Sequence, residues 1–189
     1  MTGPKRVGSH DVALGRDYER QNCSLARALE VVGERWTILV LRDLFFGVRR
    51  FTDLQAHLDI PRAVLTDRLT RLVDEGVLTR TEYRRGRFEY TLTPHGVELW
   101  PALFALSQWG ERHNAPEGRR RIFSHASCGV DLAVTGQCPD CGAIPAAGDV
   151  EIRPGPGVRH DRDDPVSVAL REPHRLLTPL LTAEAERTA

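Results

Sequence analysis

The stretch "PRAVLTDRLTRLVDEGVLTR", residues 61–80, decides the fold. Leu65, Leu69, Leu72 and Val73 fall on one side of a helix at about 100° per residue, and Ala63, Asp67, Thr70 and Arg71 fall on the other. Pro61 suits the first turn, where its missing N–H has no partner to lose. Gly76 supplies the left-handed residue that commonly ends a helix. Val77, Thr79, Thr81 and Tyr83 then alternate as a strand does. A short amphipathic helix with an Arg, Thr and Asp outer face is thus tied directly to a strand.

Upstream, "FTDLQAHL" has the T-x-x-Q spacing of a capping box in Thr52 and Gln55, which predicts a third short helix with Leu54 and Leu58 inward. Only Asp59-Ile60 separate it from residue 61, the spacing of a helix-turn-helix. "ERWTILVLRDLFFG" is apolar nearly all round and reads as a buried central helix closed by Gly47. In "CSLARALEVVG", Ser24 is placed to cap a helix with Leu25, Leu29 and Val32 inward. Residues 1–22 are polar, with little periodicity, and read as a flexible arm.

Downstream, "RRGR" turns the chain into "FEYTLT", whose Phe88, Tyr90 and Leu92 share one face. A helix-turn-helix followed by such a hairpin, over 77–93, is a winged helix: mainly α with a small β wing, in the α+β class. Thr93 and Pro94 then open a long helix to about His113, bent at Pro101 unless the chain restarts there. Its Val97, Leu99, Trp100, Leu103, Phe104, Leu106 and Trp109 cover more circumference than one buried stripe, which predicts a homodimer held by this helix. The DNA-binding and dimerisation domain is placed at 23–121, a Cys-bearing ribbon at 122–145, and a largely extended tail at 146–189. Residues 145–189 hold six of the twelve prolines.

Lys+Arg and Asp+Glu both number 26, so formal net charge is zero. Residues 1–93 carry 16 basic and 13 acidic side chains against 10 and 13 in the remainder. Lys5 is the only lysine, so positive charge is almost all guanidinium, the group that forks onto phosphates and guanine edges. Such a distribution permits nucleic-acid binding without requiring it. No apolar run reaches the length of a membrane span, and residues 1–17 lack a secretory apolar core, so a cytoplasmic location is expected.

A major groove about 12 Å wide admits one helix and exposes base edges to its outer side chains. Arg62, Ala63, Thr66, Asp67, Thr70 and Arg71 occupy or flank that outer face. Arg84, Arg85 and Arg87 sit at the wing tip, within reach of backbone or minor groove, and Arg49, Arg50 and Thr52 stand where a helix N-terminus can meet phosphate. Taken singly, each feature also reads as a solvated surface. Their order and spacing favour double-stranded DNA as the partner.

His125, Cys128, Cys138 and Cys141 offer one N and three S donors, in "HASCG" and "CPDCG". Such spacings suit a closed tetrahedral structural Zn2+ site. A Cys138/Cys141 redox pair is the competing reading, although no βαβ pattern surrounds it. His113 is an alternative fourth ligand.

Residues 23–113 resemble the HxlR-type winged helix-turn-helix transcriptional regulators in the Cys-led first helix, "RRFTDL", "LTDRL" and "LTPHG". Ile60-Pro61 departs from the pattern, in which Ser or Ala usually opens the recognition helix. The resemblance implies a bacterial DNA-binding homodimer paired through its terminal helices, with a small-molecule or electrophile effector as a further partner; two recognition helices, each over 61–75 and about 34 Å apart, suit a near-palindromic operator. It also puts a redox- or electrophile-sensing role on Cys23, for which a packing cysteine is the plain alternative. No nucleophile–base pair or phosphate loop can be placed, so an enzyme is not expected. The alternatives are a small thiol-disulfide oxidoreductase using Cys138 and Cys141, or a protein-interaction module.

Overall fold

The computed structural model describes Tyr18 and residues 20–181, so most of the expected arm over 1–22 and the end of the tail lie outside the described residues. Four helices open the fold: α1 (Ser24–Val32), α2 (Thr37–Phe45), α3 (Phe51–Leu58) and α4 (Arg62–Asp74). Val40, Leu41 and Phe45 of α2 are buried with Leu54 of α3 and Leu65, Leu69 and Leu72 of α4. Pro61 is the extended N-cap of α4, and the helix proper begins at Arg62. At the other end, Gly76 has φ +69°, its N–H meets the Val73 carbonyl at 3.0 Å, and the Val77 N–H meets that of Leu72 at 2.9 Å. This is the paired hydrogen-bond pattern of a glycine-ended helix, and it turns the chain straight into the hairpin.

The hairpin joins β1 (Leu78–Arg84) to β2 (Arg87–Leu92), in register from Leu78↔Leu92 to Arg84↔Arg87 with an irregularity at Tyr83. Arg50 bridges to Glu89, and the Tyr90 N–H donates to the Arg49 carbonyl at 2.8 Å, so the entry to α3 is pinned against β2. That pairing overturns the expected capping box. Arg50 arrives extended and becomes the N-cap, the helix starts at Phe51, and Thr52 lies inside the first turn. In α1, likewise, Cys23 rather than Ser24 is the N-cap, without a side-chain cap. Leu25 and Leu29 were expected inward but are 65% and 38% exposed; Ala26 carries the buried contact.

Thr93 caps α5 (Pro94–Val97) by accepting from the Gly96 N–H at 3.1 Å. The chain restarts as α6 (Trp100–Asn114), with Pro101 in its first turn where no hydrogen bond is lost. Trp100, Leu103 and Phe104 are buried in the chain's own core. They were expected at a dimer face, together with Leu99, Leu106 and Trp109. Of that set Leu106 and Trp109 are more than half exposed, and Leu99 is partly buried.

The reason is the C-terminal segment. It is not extended. β3 (Arg121–His125), β4 (Val150–Pro154) and β5 (His174–Arg175) form an antiparallel sheet in the order β3-β4-β5, with α7 (Pro165–Ala169) between the last two. Val150, Ile152, Val166, Leu170 and Leu176 are all buried. The prolines that suggested an unstructured tail punctuate it instead: Pro154 ends β4, and Pro165 opens α7 behind the Asp164 cap. Phe123 of β3 enters the core beside Trp100 and Phe104, at ring-centroid distances of 5.7 and 5.4 Å. The expected boundaries at 121/122 and 145/146 therefore run through one continuous structure.

The chain then returns to the winged helix. The Leu177 N–H donates to the Phe45 carbonyl at 2.8 Å and the Leu180 N–H to that of Gly47 at 3.1 Å. Gly47, at φ +84°, admits this approach, since a Cβ there would lie 1.7 Å from the Thr178 carbonyl oxygen. Replacing Ile152 by Ala should lower global stability by about 2–4 kcal/mol, as a cavity in a shared core does. Urea unfolding followed by circular dichroism checks this; a change within about 0.5 kcal/mol, the size expected of a surface site, would return β4 to an extended tail.

Candidate nucleic-acid interface and metal cluster

With Leu65, Leu69 and Leu72 anchoring α4, its opposite face presents Arg62, Ala63, Thr66, Asp67 and Thr70 to solvent. The Arg62 guanidinium lies over the Phe51 ring at 5.0 Å. The Thr66 hydroxyl donates to the Arg62 carbonyl at 2.9 Å, which fixes its rotamer. Arg68 is turned inward, with Glu34 at 3.4 Å and Asp67 at 3.0 Å. Arg71 is a correction. Its guanidinium donates to the Glu30 carbonyl in the last turn of α1, where a helix leaves carbonyls unpaired and favours a cation. It is half-buried there and leaves the outward set.

An open groove of about 420 Å³ separates α4 from the hairpin. Arg62, Thr66 and Thr70 form one wall, Arg80, Tyr83, Arg87 and Phe88 the other, and Arg50 and Thr52 close its end. Four arginines and no carboxylate line it, among the described residues. Arg50 is held by Glu89 at 3.3 Å and by the Tyr83 ring at 4.9 Å. Arg80 escaped the sequence reading. Its guanidinium lies 3.5 Å from the Phe88 ring centroid, and the register Arg80↔Tyr90 puts it on the aromatic face of the hairpin. The alternation of Leu78, Arg80 and Glu82 against Phe88 and Tyr90 was the signal that could have found it. At the wing tip, Arg84 and Arg85 are exposed and have no partner among the described residues. Gly86, φ +69°, makes the turn, and its N–H donates to Glu82 Oε1 at 2.6 Å. Arg49 departs from expectation: it donates to the Leu177 carbonyl at 3.1 Å and belongs to the C-terminal clasp.

Cys23 is exposed at the start of α1. Arg27, four residues on, pairs with Glu30 at 2.7 Å.

The other constellation comes together fully. Donor atoms of His125, Cys128, Cys138 and Cys141 all lie within 4.8 Å of one another. Two similar turns deliver them. In the first, the Cys128 and Gly129 N–H groups donate to the His125 carbonyl at 3.1 and 2.7 Å; in the second, the Gly142 N–H donates to that of Cys138 at 2.9 Å. Gly129 and Gly142 have φ +69° and +73°, with open space around each, so conformation rather than room calls for glycine. His125 Nδ1 faces Cys141 Sγ at 3.4 Å. The backbone N–H of Cys141, foremost, draws the Cys138 thiol down to about 7, whereas the hydrogen bond to Cys141 pushes Cys128 up to about 12. Three sulfurs and one imidazole nitrogen converging on a point suit a tetrahedral metal ion with no position open. His113, the alternative ligand, meets the Trp109 ring at a tilt, 5.3 Å between centroids, and lies outside the cluster.

No helix among the described residues is long and apolar enough to cross a membrane.

Residues 31–118 match the HxlR-like helix-turn-helix family. The HTH-type transcriptional regulator Rv3095 of Mycobacterium tuberculosis is 44% identical over 139 residues, covering 72% of this chain and 88% of its own length. The HTH-type regulator YdeP of Bacillus subtilis is 30% identical over 106 residues, 53% of this chain and 83% of its own. Among solved structures, PA1607, assigned as a transcription factor, is 32% identical with a TM-score of 0.49, covering 61% of this chain and 92% of that one. The redox regulator HypR in its oxidized form is 26% identical with a TM-score of 0.45, covering 48% and 98%. The chain, with its winged helix, belongs to the HxlR-like helix-turn-helix family of DNA-binding transcriptional regulators.

Proposed function

We propose that the chain acts as a homodimer on a near-palindromic operator, α4 entering the major groove and the hairpin following the backbone or minor groove. The arginine-rich groove between α4 and β1–β2, free of carboxylates among the described residues, is the observation that carries this reading. Arg62, Ala63, Thr66, Asp67 and Thr70 read base edges. Arg50, Thr52, Arg80 and Arg87 take phosphate along the groove, and Arg84 and Arg85 extend the contact at the tip. Ala63 lets the helix approach closely, and Thr66 presents its methyl because its hydroxyl is spent on the backbone. Two such helices about 34 Å apart span successive major grooves on one side of the duplex.

The dimer reading rests on exposed apolar side chains that one chain does not cover: Leu25 and Leu29 of α1, and Leu106 and Trp109 of α6. The Cys₃His cluster holds a structural Zn2+ through His125, Cys128, Cys138 and Cys141. The ion would cross-link two turns in a segment with few large apolar groups, so ordering of 126–145 is coupled to binding, while β3 is held by Phe123 in the shared core.

Thr66→Ala should cost about 1–3 kcal/mol in cognate binding and relax specificity at one base position. Arg85→Ala should weaken cognate and scrambled duplexes alike and lower the salt slope by about one. Arg71→Ala should loosen α1 and lower stability while leaving discrimination intact. Titration of labelled duplexes over a salt series measures all three, and unchanged discrimination in Thr66→Ala would remove it from the reading set.

Sedimentation velocity at micromolar concentration should show a dimer, and Trp109→Glu should shift it to monomer. A wild-type monomer would count against the palindromic operator as well.

Purified protein made under reducing, zinc-replete conditions should contain near-stoichiometric zinc, and chelation should disorder the turns over 126–145 while β3 stays paired and DNA binding survives. Absence of the metal would overturn this assignment; a Cys138–Cys141 disulfide in its place would favour redox chemistry.

A further inference from the structure

A cleft of about 660 Å³ opens where α2 and the end of α3 face α6, β3 and residues 157–159. Its apolar wall is Leu39, Phe46 and Phe123, and a smaller pocket sharing these three residues continues the apolar surface to Trp100. Against this wall stand Arg42, Arg120 and Arg121.

Arg120 and Arg121 form no side-chain ion pair among the described residues, although the Asp43 and Glu111 carboxylates lie near enough to act on Arg121. Among the described residues the Arg121 guanidinium has one hydrogen-bond acceptor, the uncharged Leu170 carbonyl at 2.6 Å, and Arg120 Nη2 donates to another carbonyl, of Asn114, at 2.9 Å. Burial first, and the neighbouring Arg42 charge second, push the Arg121 guanidinium below its ordinary range. Glu111, which also lines the cleft, is committed to the backbone: its carboxylate accepts from the Arg120 and Arg121 N–H groups at 2.9 and 3.3 Å. Asp43 is fully buried behind the wall and shared by Arg42 and His57, each at 2.6 Å. Arg42 spends Nε and Nη2 on it and keeps Nη1.

We infer that this cleft is a binding site for a small aromatic carboxylate, its anion between Arg121 and Arg42 and its ring against Phe46 and Phe123. Arg121 is half-buried beside Arg42 and its only side-chain hydrogen bond among the described residues goes to a neutral carbonyl, so an anion placed between the two guanidiniums adds to the partial relief that Asp43 and Glu111 supply. Guanidinium favours the planar, bidentate carboxylate. The apolar wall opposes a dianion, whose desolvation costs more, and accepts a flat ring. The volume falls in the range of about 300–1,000 Å³ typical of small-molecule sites. The site is built in part from Arg120, Arg121 and Phe123, which follow the last residue matched to the family.

Isothermal titration of the full-length, zinc-replete chain with 1-naphthoate tests the inference. Saturable binding at one equivalent per chain is expected, with the neutral 1-naphthalenemethanol at least about tenfold weaker, the loss of one charge-assisted hydrogen bond. Arg121→Met should weaken 1-naphthoate by about tenfold or more and leave the alcohol unchanged. Because Arg121 also holds the Leu170 carbonyl, Ser107→Phe provides a second route: it fills the cleft from α6 and should abolish binding of both probes. Absence of saturable binding at millimolar 1-naphthoate, equal affinity for acid and alcohol, or no effect of Ser107→Phe would each overturn the assignment.

Discussion

Four aromatic rings hold the molecule together. Phe45 of α2 meets Trp100 at 5.3 Å, Trp100 meets Phe104 at 5.8 Å, and Phe123 of β3 meets both Trp100 and Phe104 edge-on. Tilted and edge-to-face contacts of this kind contribute about 0.5–1.5 kcal/mol each beyond the area they bury. Their position matters more than their sum. Phe45 belongs to the centre of the winged helix, Trp100 and Phe104 to the helix that leaves it, and Phe123 to the sheet beyond. His125, the first donor of the Cys₃His cluster, follows Phe123 by two residues on the same strand, so the cluster is fixed with respect to α2 through one ring.

A second constraint is the allocation of arginine. Formal net charge is zero, yet the charges are not spread evenly over the structure. Arg49, Arg71, Arg121 and Arg175 reach backbone carbonyls, while Arg42, Arg68 and Arg153 pair with carboxylates. Arg84 and Arg85 at the wing have no such partners among the described residues, and those of the groove face one another without an acid among its lining. Local field, not net charge, therefore decides whether this surface attracts a polyanion. The exposed Arg–Glu pairs elsewhere contribute little to stability.

Local signals were legible in the sequence. The α4 period, the glycine ending at Gly76, the Arg-Gly turn of the hairpin and the Thr93 cap are set by residues within a few positions of each other, and each forms as read. The paired Gly129 and Gly142 turns were legible for the same reason. What was missed depends on distant pairing. Thr52 lost its cap because β2 draws Arg50 into an extended conformation, and Arg71 turned inward because α1 offers a free carbonyl 41 residues away. The C-terminal sheet was hidden by its prolines. Val150-Glu-Ile152 is too short an alternation to announce a strand unless its partners, 25–29 residues before it and 22–24 residues after it, are known to pair with it.

The clasp formed by residues 176–181 gives those long-range contacts a functional consequence. Leu177 and Leu180 bond the corner between α2 and α3, Arg49 returns a bond to the clasp, and Arg162 donates to the Ala56 carbonyl in the last turn of α3 at 2.7 Å. α3 is the helix that precedes α4 across a three-residue turn, with Asp59 left-handed at φ 50° and Ile60 buried. The C-terminal sheet thus grips the winged helix at α3 as well as at α6, and no flexible linker separates them along this path. Buried Asp43 adds a polar tie, since its two oxygens join Arg42 at the mouth of the arginine cleft to His57 at the end of α3. A contiguous polar path thus runs from the mouth of the cleft to the end of α3, the helix that leads into α4, the kind of path along which coupling between two sites can travel.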